Sequence, residues 1–490
     1  MKTSIKSNFV KINGTVIIPI LKSKSLDSAL ENVANEFNMS FERLKSEFKA
    51  DFKEVSCFFD NETKVSLLGL GEKPSSSDII AAFRNLSFQQ KHKFGDNIAI
   101  SFIHSNKKET STILAGINGF LLGTYRIGLY KSEPNGVHPL AKDNSELIVF
   151  VDEDNKQVQQ TAQKAVATAE TQIRIMDLVN ASPNNKTPQY LADWAVSSGK
   201  EFGFDVTVFD KKQCQEKGLH ALLSVNDGSG HEPRFIIMEY KPQNATKTIG
   251  LVGKGVTFDT GGISIKPSTN MHLMKSDMGG AAAVLGTMEL AAKLGLPVHL
   301  VGIVPSTENM VDGLGTKPGD VIQSYLGKTI EVIDTDAEGR LILADGLSYL
   351  KKNFNPDSII DLATLTGSIV ATLGYNAAGL FSNDDALAAS LSKAGDISGE
   401  RLWRLPIWEI YMDDMKSDVA DISNLTSKPM AGAITAAKFL ELFIDGHTSW
   451  AHLDIAGMAL ISNELGNSRV ATAYGVRLLI EFLEDIVAKA

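Results

Sequence analysis

The chain has 490 residues and a formal net charge of −10, with 43% hydrophobic and 22% charged residues. This length exceeds what one ordinary hydrophobic core supports, so two domains are expected. The composition is typical of a soluble globular protein, and the acidic balance argues against a nucleic-acid partner.

Cysteine usage and hydropathy bear on the compartment. Cys57 and Cys214 are too few for a disulfide framework or a cysteine-based zinc site, which fits a reducing environment. The apolar run at 16–21 is short and contains Pro19, so it makes a poor signal peptide. The weakly charged run at 359–381 contains Asp361 and glycines, and it breaks into strand, loop and helix more naturally than it spans a bilayer. We therefore expect a cytoplasmic protein with no membrane partner.

Apolar strands alternate with helical patterns over the first 150 residues. Such alternation is typical of a small α/β domain, which we place at residues 1–155. We find no nucleotide-binding fingerprint and no cluster of catalytic residue types here, which indicates a structural or oligomerisation role. The predicted strands are 15–21, 65–70, 97–103 and 146–151, and the predicted helices are 25–48 and 77–86.

An Ala- and Gln-rich helical run then predicts a connecting helix over residues 156–180. Residues 181–490 again alternate between strand and helix, which predicts a larger catalytic α/β domain. We expect a central, mainly parallel (mixed) sheet flanked by helices, with ligands beyond the carboxyl ends of its strands. The predicted strands are 235–240, 248–252, 298–304, 329–334, 358–365 and 451–455, and the clearest helices are 277–294, 341–352, 434–444 and 471–489.

Charged residues stand in an apolar, glycine-rich stretch at residues 253–280. This stretch contains Lys254, Asp259, Lys266 and Asp277. Charged groups in such surroundings are expected to be partly desolvated, and they persist only when they are paired, hydrogen-bonded or bound to a metal.

A second stretch of the same character, residues 333–341, contains Asp336, Glu338 and Arg340. Both stretches begin where a predicted strand ends, and the carboxyl ends of parallel strands lie at one edge of a sheet, so their carboxylates can converge. In extended backbone Asp336 and Glu338 would point the same way. The pattern also fits a helix start, with Asp336 as the cap and Glu338 as a favourable charge in the first turn.

Convergence of Asp259, Asp277, Asp336 and Glu338 would gather four negative charges in one place. Two divalent cations would neutralise them. Two such ions can share a bridging carboxylate and a bridging water, which is activated as hydroxide near neutral pH. The residues therefore indicate a carboxylate-based hydrolase.

The two lysines suit different tasks in such a site. Lys254 can be a metal ligand only as the neutral amine, a form that adjacent cations favour. Lys266 is more useful when protonated, because it can polarise a substrate carbonyl and hold the oxyanion that forms on attack. Most lysines are surface residues, but the glycine and apolar neighbours of these two favour burial over exposure.

Several motifs together carry a resemblance to a known family. They are Lys254, Asp259-Thr260-Gly261-Gly262, Lys266, Asp277-Met278-Gly279-Gly280, Asp336-Ala337-Glu338-Gly339-Arg340-Leu341, Ala363-Thr364-Leu365-Thr366-Gly367 and Trp450-Ala451-His452-Leu453-Asp454-Ile455-Ala456-Gly457. With these motifs the chain resembles the leucyl aminopeptidase family. Residues 334–341 are nearly the family signature, and the match is specific over about 160–490 and much weaker before it.

The resemblance implies a dinuclear metallo-aminopeptidase. A hydroxide bridging the metals would remove N-terminal residues, with leucine and other apolar ones favoured, from short peptides with a free N-terminus. The tight metal site would use Lys254, Asp259, Asp277 and Glu338, and a more exchangeable site would use Asp259, Asp336 and Glu338. The ions would be zinc or manganese, with magnesium or cobalt as alternatives, because carboxylates suit manganese and magnesium while a lysine nitrogen favours zinc, cobalt or manganese.

The resemblance also implies roles outside the metal ligands. Lys266 and Arg340 would be catalytic, with Arg340 holding a bicarbonate that serves as general base. The pocket for the first side chain would be lined by Met274 and by the loop that contains Thr364, Leu365 and Gly367. The family assembles as homohexamers whose active sites face an internal cavity, which restricts substrates to short peptides.

Two residues depart from the family pattern. Asp334 stands where the family more often has Asn, which adds negative charge beside the site, and Thr260 replaces the commoner Ser. Two alternatives stay open from the sequence. The chain could be a DNA-binding relative, although the near-neutral first 150 residues form no basic stripe, or it could be an inactive structural relative.

Overall fold

The computed structural model describes residues 2–132, 136–141, 145–152, 156–426, 428–462, 466 and 469–489. The chain forms two compact units. The first comprises residues 1–173 and 462–468, and the second comprises residues 174–461 and 469–490.

The first unit is built on a six-stranded sheet. Its strands are β1 (Lys2–Lys6), β2 (Gly14–Ile20), β3 (Val55–Asp60), β4 (Thr63–Gly69), β5 (Asn97–Ser101) and β6 (Glu146–Phe150). The order is β1-β6-β5-β2-β4-β3, and only β3 runs antiparallel to its neighbour. Residues 15–20 of β2 are all buried, as expected for a central parallel strand covered on both faces.

The helices of the first unit are α1 (Leu26–Glu36), α2 (Phe41–Glu47), α3 (Ser76–Gln89) and α4 (Thr110–Leu122), and α5 (Lys156–Asn180) continues into the second unit. The single helix predicted over 25–48 is wrong. Asn38 adopts a left-handed conformation with φ of 49°, which ends one helix. The Ser40 hydroxyl then accepts a hydrogen bond from the backbone N–H of Arg43 and caps the next.

The second unit contains a nine-stranded mixed sheet. Its strands are β7 (Asp205–Phe209), β8 (Arg234–Tyr240), β9 (Thr248–Gly253), β10 (Gly255–Asp259), β11 (His299–Asn309), β14 (Ser358–Ala363), β15 (Ala378–Ser382), β16 (Leu402–Arg404) and β18 (Trp450–Asp454). The order is β16-β15-β18-β14-β9-β11-β8-β7, with β10 beside β11. Strands β18, β14, β9 and β11 are mutually parallel, which confirms the predicted mixed, mainly parallel sheet.

Helices pack on both faces of this sheet. The helices are α6 (Pro188–Phe202), α7 (Lys211–Lys217), α8 (His220–Asn226), α9 (Gly279–Leu294), α10 (Glu338–Phe354), α11 (Gly367–Leu373), α12 (Asp385–Ser398), α13 (Gly432–Leu442) and α14 (Val476–Lys489). A Cβ on Gly253 would lie 2.7 Å from Ala281 of α9, whereas one on Gly250 would lie 2.5 Å from Leu350 of α10. Since these glycines are an odd number of residues apart in β9, α9 and α10 cover opposite faces.

Short strands form two further sheets. The first contains β12 (Val321–Gln323), β13 (Thr329–Glu331) and β17 (Ile422–Ser423), and the second contains β19 (Leu460–Ile461) and β20 (Val470–Ala471). The strand predicted over 329–334 is therefore shorter and lies outside the main sheet. The final helix also starts later than predicted, at Val476, because β20 and Ala473, with φ of 54°, precede it.

Candidate metal centre

The first charged stretch is held where the main sheet meets α9. Lys254 lies between β9 and β10, and its backbone N–H donates to the carbonyl of Leu362 in β14 at 3.0 Å while its carbonyl accepts from Ala281 at 2.9 Å. Asp259 is the last residue of β10. The chain then turns through Gly261 and Gly262, which have φ of 86° and 64° and so favour glycine.

Lys254 is buried among carboxylates. Its Nζ lies 2.8 Å from Asp277 Oδ2 and 2.8 Å from Glu338 Oε1. It also donates to the carbonyl of Thr364 at 2.9 Å. Gly339 is in van der Waals contact with the same side chain, since a Cβ there would lie 2.6 Å from Lys254 Cε. The interpretation of Lys254 as a surface lysine is therefore wrong.

Lys266 joins the two acidic stretches from the other side. Its Nζ lies 2.8 Å from Asp259 Oδ2 and forms a second ion pair with Asp336 Oδ1. The other oxygen of Asp259, Oδ1, accepts from the backbone N–H of Gly261 and from Asn309 Nδ2, both at 2.8 Å. The carboxylate of Asp259 is thus fixed by three described contacts.

The second acidic stretch is a turn that leads into α10. Ala337 is at the N-cap position and makes no side-chain cap, so the prediction that Asp336 caps the helix is wrong, whereas Glu338 does lie in the first turn. The turn forms when the backbone N–H of Asp336 donates to Asp334 Oδ1 at 2.8 Å. The stretch does not extend a strand of the main sheet, so the expected convergence from one sheet edge is wrong, although the carboxylates do converge.

Two asparagines that sequence reasoning missed hold the acidic stretches together. Asn309, the last residue of β11, donates to both Asp259 Oδ1 and the carbonyl of Thr335. Asn424 accepts from the backbone N–H of Ile333 at 2.7 Å and donates to the carbonyl of Asp334 at 2.7 Å. Nothing in the sequence marks either asparagine, because the strand predicted over 298–304 stops before Asn309, where the observed β11 ends.

The carboxylates form a cluster suited to cations. Asp259, Asp336 and Glu338 each offer an oxygen within 4.8 Å of the others. Oε2 of Glu338 is buried and has no partner among the described residues, whereas Glu338 Oε1 and Asp277 Oδ2 are buried and each paired with Lys254 Nζ at 2.8 Å. Buried carboxylate oxygens without donors are costly unless a cation neutralises them, and oxygen-rich sites suit divalent ions. The residues present therefore fit divalent metals.

Burial and crowding shift the ionisation of the cluster. Burial and the nearby Asp259 raise the pKa of Glu338 to about 8. Burial, opposed by Lys254, raises the pKa of Asp277 to about 6. Burial alone would lower the pKa of Lys254, but Asp277 and Glu338 more than offset it, and the pKa is raised. Among the protein groups alone, this lysine is therefore a cation, and bound metal ions would act on it in the opposite direction.

Arg340 lies in α10 and is buried. Its Nη1 donates to the carbonyl of Asn424 at 2.8 Å, and its Nε is buried without a hydrogen-bond partner among the described residues. Burial lowers the pKa of its guanidinium to about 10. The structure thus places Arg340 near the start of the helix that carries Glu338, with no described ion pair to the carboxylates.

The predicted pocket residues lie on two segments next to the cluster. The Thr364 hydroxyl donates to Asp277 Oδ1 at 2.7 Å, and the backbone N–H of Leu365 donates to Asp454 Oδ1 at 3.2 Å. Gly367 begins α11, and a Cβ there would meet nothing within 4 Å. Met274 is half-buried in the 3₁₀ turn Met271–Ser276, which leads directly to Asp277.

None of the helices in the described ranges has an apolar stretch long enough to span a bilayer.

Comparison with known proteins gives consistent matches. The profile described as "Cytosol aminopeptidase family, catalytic domain" matches residues 174–480. A "Probable cytosol aminopeptidase" of Chlorobium limicola is 45% identical over 456 residues, 89% of this chain and 90% of that protein. Another of Chlorobium phaeobacteroides is 42% identical and covers 98% of both chains.

Solved structures agree with these matches. A mutant of tomato leucine aminopeptidase superposes with a TM-score of 0.88 at 31% identity, covering 99% of this chain and 96% of that one. The bottromycin maturation enzyme BotP in complex with Mn superposes with a TM-score of 0.82 at 32% identity, covering 96% of this chain and 99% of that one.

Proposed function

Since this chain belongs to the cytosol aminopeptidase family and is a metallo-aminopeptidase, we propose that it releases N-terminal residues from short peptides, with leucine and other apolar residues favoured. The observation that carries this proposal is the acidic cluster of Asp259, Asp336 and Glu338, in which Oε2 of Glu338 is buried with no partner among the described residues. The comparisons give no support to a DNA-binding or inactive relative.

The carboxylates and one lysine would hold two divalent ions. When bound, the ions would supply Lewis acidity toward the peptide carbonyl and lower the pKa of the attacking water. Zinc or manganese is proposed, with magnesium or cobalt as alternatives, and the BotP structure with Mn supports manganese. The tight site would be Lys254, Asp259, Asp277 and Glu338, and the exchangeable site Asp259, Asp336 and Glu338.

Lys266 would act on the substrate carbonyl. Burial lowers its pKa, but Asp259 and the other carboxylates more than offset this and raise it, so the side chain is an ammonium at neutral pH. Its side chain is 22% exposed, which leaves part of it accessible from outside the cluster. An ammonium in this place can donate a hydrogen bond to the oxyanion that develops on attack.

Arg340 and the pocket segments would complete the site. The buried Nε of Arg340 has no described partner, and it would donate to an anion such as the bicarbonate proposed as general base. The open space beside Gly367 and the neighbouring Met274, Thr364 and Leu365 would accommodate the first side chain.

Compartment, assembly and domain roles are proposed with the function. The curated relatives are named cytosol aminopeptidases, which supports a cytoplasmic location. A homohexamer is proposed from the family resemblance. The family profile over 174–480 supports a catalytic domain at 181–490, with residues 156–180 as a connecting helix and 1–155 serving structure or assembly.

A metal-activation series tests the proposal. The protein is stripped with a chelator and then loaded separately with Mn, Zn, Co or Mg before turnover of leucine p-nitroanilide is measured. We expect activity to disappear with the chelator and return with at least one ion. N-acetyl-leucine p-nitroanilide is the matched substrate and should not be cleaved, because it lacks a free amine. Full activity in the stripped protein, or equal cleavage of the acetylated substrate, would contradict the proposal.

A further inference from the structure

A second buried lysine lies outside the carboxylate cluster. Lys186 is 0% exposed, and its Nζ donates to the carbonyl of Val179 at 2.7 Å and to the carbonyl of Lys275 at 2.5 Å. Its pKa is lowered well below the ordinary value by burial and by the nearby Lys275, with no carboxylate contributing. A buried amino group satisfied only by backbone carbonyls is costly to maintain, which indicates a specific role for it.

The two carbonyls belong to distant segments of the second unit. Val179 is in the last turn of α5, where carbonyls have no partner within the helix and favour a positively charged or proton-donating group. Lys275 lies in the 3₁₀ turn Met271–Ser276. The contact is reciprocal, because Lys275 Nζ donates to the carbonyl of Asn180 at 2.9 Å. The end of α5 and the 3₁₀ turn are thus linked twice by lysine side chains.

The 3₁₀ turn carries residues proposed for the metal site and the substrate pocket. Met274 lies in it, and the backbone N–H of Asp277, the next residue after the turn, donates to the carbonyl of Met274 at 3.2 Å. Asp277 Oδ2 lies 2.8 Å from Lys254 Nζ. A displacement of the carbonyl of Lys275 would therefore move Met274 and Asp277 together.

We infer that Lys186 is a positioning residue for the metal centre: by tying the carbonyl of Lys275 to the end of α5, it holds the segment that carries Met274 and Asp277. The inference rests on the proposed function for its effect on metal and substrate. The effect of Lys186 on the conformational order of residues 271–277 does not depend on the proposed function.

Hydrogen exchange tests the inference in the full chain. Lys186→Met keeps the length of the side chain and removes its donors. We expect amides of residues 271–277 to exchange at least tenfold faster in the metal-free variant than in the metal-free parent. In the loaded protein, the dissociation constant of the tighter ion should rise roughly tenfold, as is usual when a group behind a metal ligand is lost. KM for leucine p-nitroanilide should rise more than kcat falls.

Lys438→Met is the matched control, since Lys438 is equally buried but its Nζ pairs with Glu409 and Glu441. It should lower the stability of the protein without changing exchange at 271–277. If Lys186→Met does not fold, Lys275→Met removes the reciprocal contact and should produce a smaller rise in exchange at the same amides.

Unchanged exchange at 271–277, or an increase spread evenly over the second unit in both the Lys186 and Lys438 variants, would overturn the inference. Failure of the parent protein to cleave leucine p-nitroanilide with any metal would overturn the proposed function alone, because exchange in the metal-free protein does not depend on it.

Discussion

Lys254 and Lys266 carry the same charge beside the same carboxylates, but their surroundings differ. The side chain of Lys254 is 3% exposed, and its Nζ contacts Asp277, Glu338 and the carbonyl of Thr364. The side chain of Lys266 is 22% exposed and pairs with Asp259 and Asp336 at the edge of the cluster. We therefore propose that Lys254 serves the metal site and that Lys266 acts on the substrate carbonyl.

Paired substitutions at these lysines separate the two roles. Lys266→Ala should retain both metal ions and lower kcat roughly 100- to 1000-fold, the usual effect of losing one oxyanion donor. Lys254→Ala should lower the affinity for the tighter ion, because it removes a nitrogen ligand. Metal content measured by mass spectrometry and turnover of leucine p-nitroanilide give the two readouts. Complete loss of metal from Lys266→Ala would show that its role is wrongly assigned.

In the first turn of α10, the absence of a side chain at Gly339 lets the side chain of Lys254 approach the helix closely. A Cβ on Gly339 would lie 2.6 Å from Lys254 Cε and 2.7 Å from Nζ. The flexible end of a lysine would ordinarily move aside at little cost. Here that end is the proposed metal ligand, so moving it changes the site.

Gly339→Ala should therefore weaken binding of the tighter ion by roughly tenfold or more, in the range found when groups supporting a metal ligand are changed. Alanine is favoured over glycine in a helix interior by up to about 1 kcal/mol, so a loss of metal affinity would not reflect a weaker helix. Gly346→Ala in the same helix is the control, because its Cβ would meet Val252 Cγ1 at 2.9 Å, an apolar contact. Isothermal titration with Mn or Zn measures the metal affinity of both variants. Equal metal affinity in Gly339→Ala and the parent would refute the argument.

Periodicity in the sequence predicted the fold class, because long apolar strands and amphipathic helices bury the same faces in any α/β sheet. It did not predict which sheet a short strand joins. Ile330 of β13 is fully buried in the three-stranded sheet, and an isoleucine in the main sheet would give the same apolar pattern in the sequence.

The residues of the site likewise divide into those that the sequence predicted and those that it did not. The charged residues were predictable because charge in apolar, glycine-rich sequence is conspicuous. Asn309 and Asn424 were missed because neutral amides carry no such signal, and their partners, such as Asp259 and Ile333, are 50 and 91 positions away.

At the scale of the whole molecule, every residue proposed for the site lies in the second unit. Ionisation of the cluster should make the stability of that unit depend on pH and on metal together. Glu338 ordinarily titrates near 4.5, and its pKa in the folded protein is about 8, while that of Asp277 rises from 3.8 to about 6. Between these limits the folded state binds more protons than the unfolded state, so metal-free stability should fall as pH rises.

Metal should reverse this trend. An ion must displace the protons that Glu338 and Asp277 retain, which cancels the metal-free trend, and it must also displace the proton of Lys254, which is a ligand only as the neutral amine. The loaded folded state then binds fewer protons than the unfolded state, so its stability should be smaller at pH 6 than at pH 8. Each group can contribute at most about 1.4 kcal/mol per pH unit to either effect.

We expect the second unit to unfold at a lower temperature at pH 8 than at pH 6 with chelator present, and the opposite order with saturating Mn or Zn. Thermal unfolding with pulse-labelled hydrogen exchange reads the two units separately, and the first unit, which holds none of the proposed ligands, serves as the internal reference. In the metal-free protein, Glu338→Gln should remove most of the pH dependence of the unfolding temperature of the second unit. A metal-induced stabilisation that is equal at both pH values, or equal in both units, would mean that the carboxylate cluster is not where the ions bind.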